Sequence, residues 1–343
     1  MGAAWEREAF AARLPFLRRR ARLVAETRGF FEARGYVEVE TPCLVPVPGM
    51  EVHLQGFRSA YVPHLGRGGA RELWLRTSPE LALKKLLVAG AGPVFELARV
   101  WRNGEVSARH APEFTMLEWY RPGLSFGGMM DEAEAYVRAV CPRVVGFAGA
   151  ECDLGLPFER VSVAEAFGRW CNGLDVLATE GDAGLLREGA VAAGFAVREG
   201  EGWEELFFRL LLERVEPRLG RGRATFLTHW PAPQAALARR DPADPRAALR
   251  FELFVAGVEL ANAFDELTDV VEQRARFVRD VEERRRLYGG GWAVDEDFLA
   301  ALEQGMPAAS GIALGFDRLA MLASGARRIE DVQWLPVEYG ASA

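Results

Sequence analysis

The sequence predicts an α+β fold, one mixed domain built around a largely antiparallel sheet. Three observations predict it. Hairpin signals outnumber strand–helix–strand crossovers: residues 94–101 and 113–120 face each other across a polar loop, and residues 251–261 turn back at Ala256-Gly257. No linker divides the chain cleanly, and no repeat or low-complexity tract appears. Half of the 343 residues are hydrophobic and 27% are charged, a globular balance that excludes a disordered, collagenous or coiled-coil chain.

The elements follow in order. Across residues 14–34 the pairs Phe16/Leu17, Leu23/Val24 and Phe30/Phe31 recur every seven residues, which lays an apolar stripe along one long helix that Gly35 can end. Arg18, Arg19, Arg20 and Arg22 sit between those pairs as a solvated flank. The stripe is broader than a single peripheral contact needs, so a homodimer is expected. Residues 36–40 alternate as a strand and stop at Pro42, where the missing N–H ends a ladder. Residues 57–72 are Gly-rich and without period, a mobile loop ahead of a short strand at 73–76. A helix over 79–89 carries Pro79 in its first turn. The 94–101 and 113–120 strands come next. Residues 126–222 alternate helical stretches with short apolar runs and hold no chemical motif, which marks a helical insertion or covering layer within the single domain 1–343. Residues 225–229 form a strand, 270–288 a charged helix, and 311–322 a strand running into a helix.

Composition narrows the function. Lys plus Arg is 42 against 49 for Asp plus Glu, so the formal charge of −7 gives no global field toward nucleic acid. The four cysteines have no C-x-x-C spacing and the four histidines are scattered, which argues against structural zinc and fits a reducing compartment. No apolar run approaches the roughly 18 residues of a membrane helix. The chain opens Met-Gly-Ala-Ala-Trp-Glu-Arg-Glu, with acids where a signal peptide would be basic or apolar. A soluble, cytoplasmic protein with no membrane partner is expected.

Chemistry concentrates in three places. In residues 113–120 alternation puts Phe114, Met116, Glu118 and Tyr120 on one face, joining an aromatic ring, a carboxylate and a phenol. Arg102 sits at the end of the partner strand, and the loop 103–112 adds Glu105, Arg109 and His110. Guanidinium for phosphate and ring for base would suit a nucleotide; an amphipathic strand with a surface ion pair explains the pattern equally well. In the 251–261 hairpin a two-residue turn pairs Val255 with Val258 and Phe254 with Glu259, so Glu252, Phe254, Glu259 and Ala261 share a face. Two carboxylates on one face call for a cation, and oxygen-only ligands suit Mg²⁺ held jointly with substrate phosphates. Finally, Gly311-Ile-Ala313-Leu-Gly315-Phe-Asp317-Arg318 is a small-residue strand-to-helix turn that lets a ligand approach the backbone, with Arg318 available for phosphate.

These residues resemble the class II aminoacyl-tRNA synthetases, specifically the lysyl catalytic domain. The long helix ending in Glu38-Val-Glu-Thr-Pro42 resembles the first motif, a dimer-interface element. Arg102-Asn-Gly-Glu with Arg109-His-Ala-Pro-Glu-Phe-Thr-Met-Leu-Glu-Trp-Tyr120 resembles the second, and residues 311–318 the third. Thr77-Ser-Pro-Glu80 and Glu259-Leu-Ala-Asn-Ala-Phe-Asp-Glu266 extend the likeness over nearly the whole chain. The resemblance implies an antiparallel sheet flanked by helices that holds bent ATP. It implies Arg102 at the α-phosphate, Arg109 and Arg318 at the γ-phosphate region, and Phe114 stacked on adenine. Asn103, Glu105 and His110 complete the ATP site, with Mg²⁺ on Glu252 and Glu259. A lysine-type substrate would lie among Ser78, Glu80, Glu118, Tyr120, Asn262 and Glu266, with Ala313 in the pocket floor. Carboxylates closed into one pocket make sense for a cationic substrate.

The departures refine this picture. Only about a dozen residues precede the first helix, so the anticodon-reading β-barrel of the family is expected to be absent, and with it tRNA anticodon recognition. Ala313 replaces the middle glycine of the third motif, Trp230-Pro-Ala-Pro-Gln-Ala-Ala-Leu-Ala replaces a family Tyr-Pro…Ser-Pro-Leu-Ala stretch, and Gly305-Met-Pro precedes the third motif. All three resemble the shortened paralogues of lysyl-tRNA synthetase, which implies activation of β-lysine with ATP and its transfer to a lysine of elongation factor P. Gly104 stands where the second motif usually carries Glu, with Glu105 next. Two alternatives stay open at this level: a lysyl-tRNA synthetase core that activates α-lysine for tRNA or a small acceptor, and a non-catalytic binder. Arg102, Arg318, Glu252 and Glu259 argue against the second, since a sensor needs neither phosphate clamps nor paired metal carboxylates.

Overall fold

The computed structural model describes residues 4–64, 69–235 and 237–337. Two compact units emerge, one from Met1–Leu124 with Thr268–Ala343 and one from Ser125–Leu267. The first begins with α1 (Arg7–Glu32), β1 (Val37–Glu38), β2 (Leu44–Val45), β3 (Phe57–Tyr61), β4 (Arg71–Leu75), α2 (Glu80–Val88), β5 (Val94–Trp101) and β6 (Glu113–Pro122). The second holds α3 (Phe126–Val140), β7 (Val144–Phe147), β8 (Ala150–Asp153), β9 (Glu159–Ser162), α4 (Val163–Trp170), α5 (Ala183–Ala192), α6 (Trp203–Leu210), β10 (Thr225–Pro231), β11 (Ala247–Val255) and β12 (Val258–Asp265). The chain then supplies α7 (Val270–Tyr288), α8 (Glu296–Glu303), β13 (Ala309–Gly315) and α9 (Phe316–Ser324) to the first. The fold is α+β, its strand pairs mostly antiparallel and its sheets flanked by helices.

In the first unit β6 pairs antiparallel with both β5 and β13, and β1 adds to β5 in parallel. With neighbours on both edges and layers on both faces, every residue from Thr115 to Tyr120 is buried, so the surface-strand alternative is overturned. The apolar stripe of α1 is real: Leu17, Leu23 and Phe31 are fully buried, and Phe31 stacks on Phe95 at 4.9 Å. Its Leu17, Leu23, Phe30 and Phe31 pack within their own chain, where α1 meets α9 and β1, while Phe16 and Val24 of the stripe are half-buried. Arg20 is corrected from solvated flank to buried ion pair, 2.5 Å from Asp317 Oδ1 and donating to Thr115 Oγ1 at 2.8 Å. The reason is periodic: position 20 lies three residues from both Leu17 and Leu23 and shares their face.

Two further expectations change. Residues 57–72 hold most of an antiparallel pair, β3 on β4, with Phe57 opposite Leu75; residues 65–68 of that stretch lie outside the described residues. The strand at 36–40 shortens to Val37–Glu38, which pair in parallel with Val94 and Phe95, and its last bond to β5 is from the Val39 N–H to the Phe95 carbonyl at 2.9 Å.

In the second unit β10, β11 and β12 form an antiparallel meander, and β9 joins β10 in parallel. Residues 126–222 therefore contribute strands as well as helices. Phe167, Trp203 and Phe207 stack at 5.0–5.3 Å and share a buried cluster with Leu227, Trp230 and Phe254, which seats the helical segment on β10 and β11.

Candidate active site

One end of the first unit is built around Glu118, which is fully buried. Its two oxygens accept hydrogen bonds from Ser78 Oγ at 2.6 Å and Tyr120 Oη at 2.9 Å. Tyr120 lies two residues along β6 and therefore on the same face, and Ser78 stands at the entry to α2, where its Oγ also accepts the Glu80 N–H at 3.0 Å. Burial and neighbouring Glu80 push the Glu118 carboxyl up to about 8, against the pull of its two hydrogen bonds. Ala313 on β13 sits directly across from Glu118 and packs with Ala98, Val100, Phe114 and Met116.

Three groups at this end were missed from sequence. Buried Lys84 donates to Glu80 Oε1 at 2.6 Å, so Glu80 already has a cation from its own helix; the i,i+4 spacing of Glu80 and Lys84 was the available signal. Glu96, opposite Glu118 on β5, is neutralised by Arg76 at 2.7 Å and accepts a hydrogen bond from Thr41 Oγ1 at 2.7 Å. Glu51 is raised by burial and by Glu80, and drawn back down by Arg102 and Lys84.

The other end of β6 carries the arginines. The backbone N–H of Arg102 is fixed to the Pro112 carbonyl at 2.8 Å, and its guanidinium lies 5.4 Å from the Phe114 ring centroid. Its Nε is buried with no hydrogen-bond partner among the described residues, a donor left for a ligand acceptor. Exposed Asn103 gives its N–H to the Gln55 carbonyl at 2.7 Å. Gly104 adopts φ +83°, a left-handed turn that costs glycine nothing and would strain glutamate, and half-buried Glu105 follows it. Within the loop Ser107 Oγ meets His110 Nδ1 at 2.6 Å and accepts the Arg109 N–H at 3.2 Å. His110 Nε2 lies 2.5 Å from Arg318 Nη2. Arginine can only donate, so Nε2 is the acceptor in this contact and Nδ1 faces Ser107. Arg318 reaches it from the first turn of α9, immediately after β13. Thus Arg102 meets Phe114, and Arg318 meets His110.

The second unit carries Glu252, Glu259, Asn262 and Glu266. The turn at Ala256 (φ 51°) and Gly257 (φ 74°) is as expected, with Val255 opposite Val258 and Phe254 opposite Glu259. A β-bulge then inserts one residue on β12, so Leu253 opposes Ala261 and Glu252 opposes Asn262. The expected place of Ala261 beside the carboxylates is thereby corrected: Asn262 takes it, and Ala261 turns to the other face. Glu252 accepts from Arg250 Nη2 at 2.7 Å, and Arg250 stacks 4.1 Å over Trp230. Burial and the charge of Glu259 both raise the Glu252 carboxyl. Asn262 Oδ1 is buried with no hydrogen-bond partner among the described residues, and Glu266 is 1% exposed. Ala238 forms an antiparallel backbone bridge with Glu266, so the 230–238 stretch, of which Ala236 lies outside the described residues, holds the main chain that carries Glu266. No group of three or more His, Cys, Asp or Glu able to hold a metal occurs among the described residues. Two mutually repelling carboxylates fit Mg²⁺ only as a partner of substrate phosphates.

Comparison with known proteins places the chain among relatives. The sequence model of class II tRNA synthetases (D, K and N) matches residues 11–339. Over 318 residues, 92% of this chain and 93% of the relative, it is 42% identical to an elongation factor P–(R)-beta-lysine ligase of Haemophilus influenzae (strain PittGG). Over 324 residues, 94% and 95% of the two chains, it is 42% identical to a protein of the same name from Klebsiella pneumoniae (strain 342). None of the described helices is long and apolar enough to cross a membrane.

Proposed function

The chain belongs to the class II tRNA synthetases (D, K and N), and from that premise we propose that it is an ATP-dependent ligase that activates (R)-β-lysine and transfers it to a lysine amine of elongation factor P. One observation carries the chemical part of this reading. A single buried strand, β6, presents Phe114 beside Arg102 and, four residues on, Glu118 with Tyr120. Four residues of strand span about 13 Å, a length suited to an aminoacyl-adenylate with adenine at one end and an ammonium at the other.

The reaction has two displacements. A carboxylate oxygen of β-lysine attacks the α-phosphorus of ATP, and the bond to the β-phosphate breaks to release pyrophosphate. The acceptor lysine amine then attacks the acyl carbon, forming the amide with loss of one proton while AMP leaves. Arg102 holds the α-phosphate, and Arg109 and Arg318 hold the γ-phosphate region, with His110 keeping Arg318 in place. Phe114 stacks on adenine, flanked by Asn103 and Glu105. Glu252 and Glu259 would hold Mg²⁺, which when bound neutralises phosphate charge. Ser78, Glu80, Glu118, Tyr120, Asn262 and Glu266 recognise the substrate, over a floor set by Ala313. Positioning and charge neutralisation suffice, with no covalent enzyme intermediate. The setting is cytoplasmic and the active form a homodimer, the latter on the strength of the first-motif likeness.

The test offers the enzyme ATP with α- or β-lysine and either elongation factor P or lysine tRNA, and asks by mass spectrometry which acceptor gains the acyl group. Gain on elongation factor P with β-lysine is expected. Charging of tRNA with α-lysine alone would replace this reading with a synthetase core.

A further inference from the structure

We propose that Arg284 is a positioning residue for this reaction, holding residues 51–55 as a strut between the amino-acid end and the phosphate end of the first unit; the inference rests on the function proposed above. Arg284 lies one turn from the end of α7 and is 5% exposed. Its Nη1 donates to the carbonyls of Val52 and Leu54, each at 2.7 Å, and its Nη2 to Gln55 Oε1 at 3.1 Å. The guanidinium stacks 3.7 Å from the Trp292 ring centroid, and Trp74 packs edge-on against Trp292 at 5.3 Å. Gly291 leaves room for this stack, since a Cβ there would stand 2.8 Å from Arg284 Cδ. No carboxylate lies within 4.0 Å of Arg284 among the described residues, the Glu51 charge acting on it only from farther off, and its Nε is buried without a hydrogen-bond partner. Burying a guanidinium without an ion pair is costly, and what this one gains is a grip on one short backbone segment.

That segment reaches both ends of β6. The Gln55 carbonyl accepts the N–H of Asn103, the residue after Arg102, at 2.7 Å. Glu51 Oε2 and Thr77 Oγ1 both fall 2.4 Å from the point where a Cβ on Gly49 would stand, which puts the Glu51 carboxylate beside the 77–80 turn that carries Ser78 and Glu80. Loosening residues 51–55 therefore disturbs the phosphate clamp and the amino-acid pocket together.

Arg284→Lys keeps the charge but loses the planar fork, and Gln55→Leu removes only the Nη2 contact. Amide hydrogen–deuterium exchange of the full chain reads the coupling directly. Arg284→Lys should speed exchange about tenfold in peptides covering both 51–56 and 102–112, leaving the second unit unchanged. Gln55→Leu should do the same more weakly. In pyrophosphate exchange, Arg284→Lys should raise KM for ATP and for lysine together, with kcat reduced. Faster exchange confined to 51–56, or spread over the whole chain with a matching fall in melting temperature, would overturn the proposal. A wild-type enzyme that exchanged no pyrophosphate would sink the proposed function, while the amide readout would still decide the role of Arg284.

Discussion

Glu118 is a carboxyl held against its own charge. Its folded value of about 8 stands above the ordinary 4.5, so between those values the folded protein binds more protons than the unfolded chain. This group therefore lowers stability as pH rises through that window, and the full cost is present above it. Glu118→Gln should gain stability over wild type at about pH 9 and much less at about pH 6 in denaturant titrations. A lysine-type ammonium favours the ionised carboxylate, so KM for the amino acid should fall as pH rises toward about 9 in wild type and stay flat in Glu118→Gln. The arginines make a second test: Arg102→Ala and Arg318→Ala should each lower pyrophosphate exchange by about 10²–10³-fold with unchanged circular dichroism, and near wild-type exchange in either would remove it from the ATP site. Ala313 makes a third, since its methyl stands across from Glu118. One methyl supplies about 1–3 kcal/mol of discrimination, so Ala313→Gly should raise adenylation of α-lysine over β-lysine by about tenfold or more. An unchanged ratio would leave Ala313 as packing.

Among the elements, α1 shows how one buried charge can tie a helix to a sheet. Arg20 joins Asp317 at the start of α9 and Thr115 on β6, and Gln333 Nε2 donates to the other Asp317 oxygen at 3.1 Å. Arg20→Ala should cost about 3–5 kcal/mol in urea unfolding, because it strands a buried carboxylate. The pair Arg20→Met with Asp317→Leu should recover most of that, and a cost as large as the single change would mean that the ion pair itself drives the packing. The β11–β12 hairpin teaches a different lesson. Its turn was legible in Ala256-Gly257, but the bulge that moves Asn262 onto the Glu252 face leaves no mark in a run as uniform as Glu259-Leu-Ala-Asn-Ala. Ladder register is decided by what the partner strand and the layers beneath it accept.

For the molecule as a whole, sedimentation at micromolar concentration should give twice the 37.9 kDa chain mass, and a monomer with full activity would end the dimer expectation. That expectation now rests chiefly on the first-motif likeness, since Leu17, Leu23, Phe30 and Phe31 of the α1 stripe are buried within their own chain. The sequence by itself determined the α+β class, the central strand pair with its limits at 94–101, and the hairpin turn, and it singled out the arginines and carboxylates proposed above for the chemistry. These follow from periodicity, turn residues and charge, which are local properties. Only the tertiary structure decided that Arg20 is buried, that Lys84 already serves Glu80, that Asn262 displaces Ala261, and that Arg284 grips residues 52–55 from 229 to 232 positions away. Each of those depends on which distant groups burial forces together. Desolvation is set by the neighbours a residue acquires on folding, and no short window of sequence contains them.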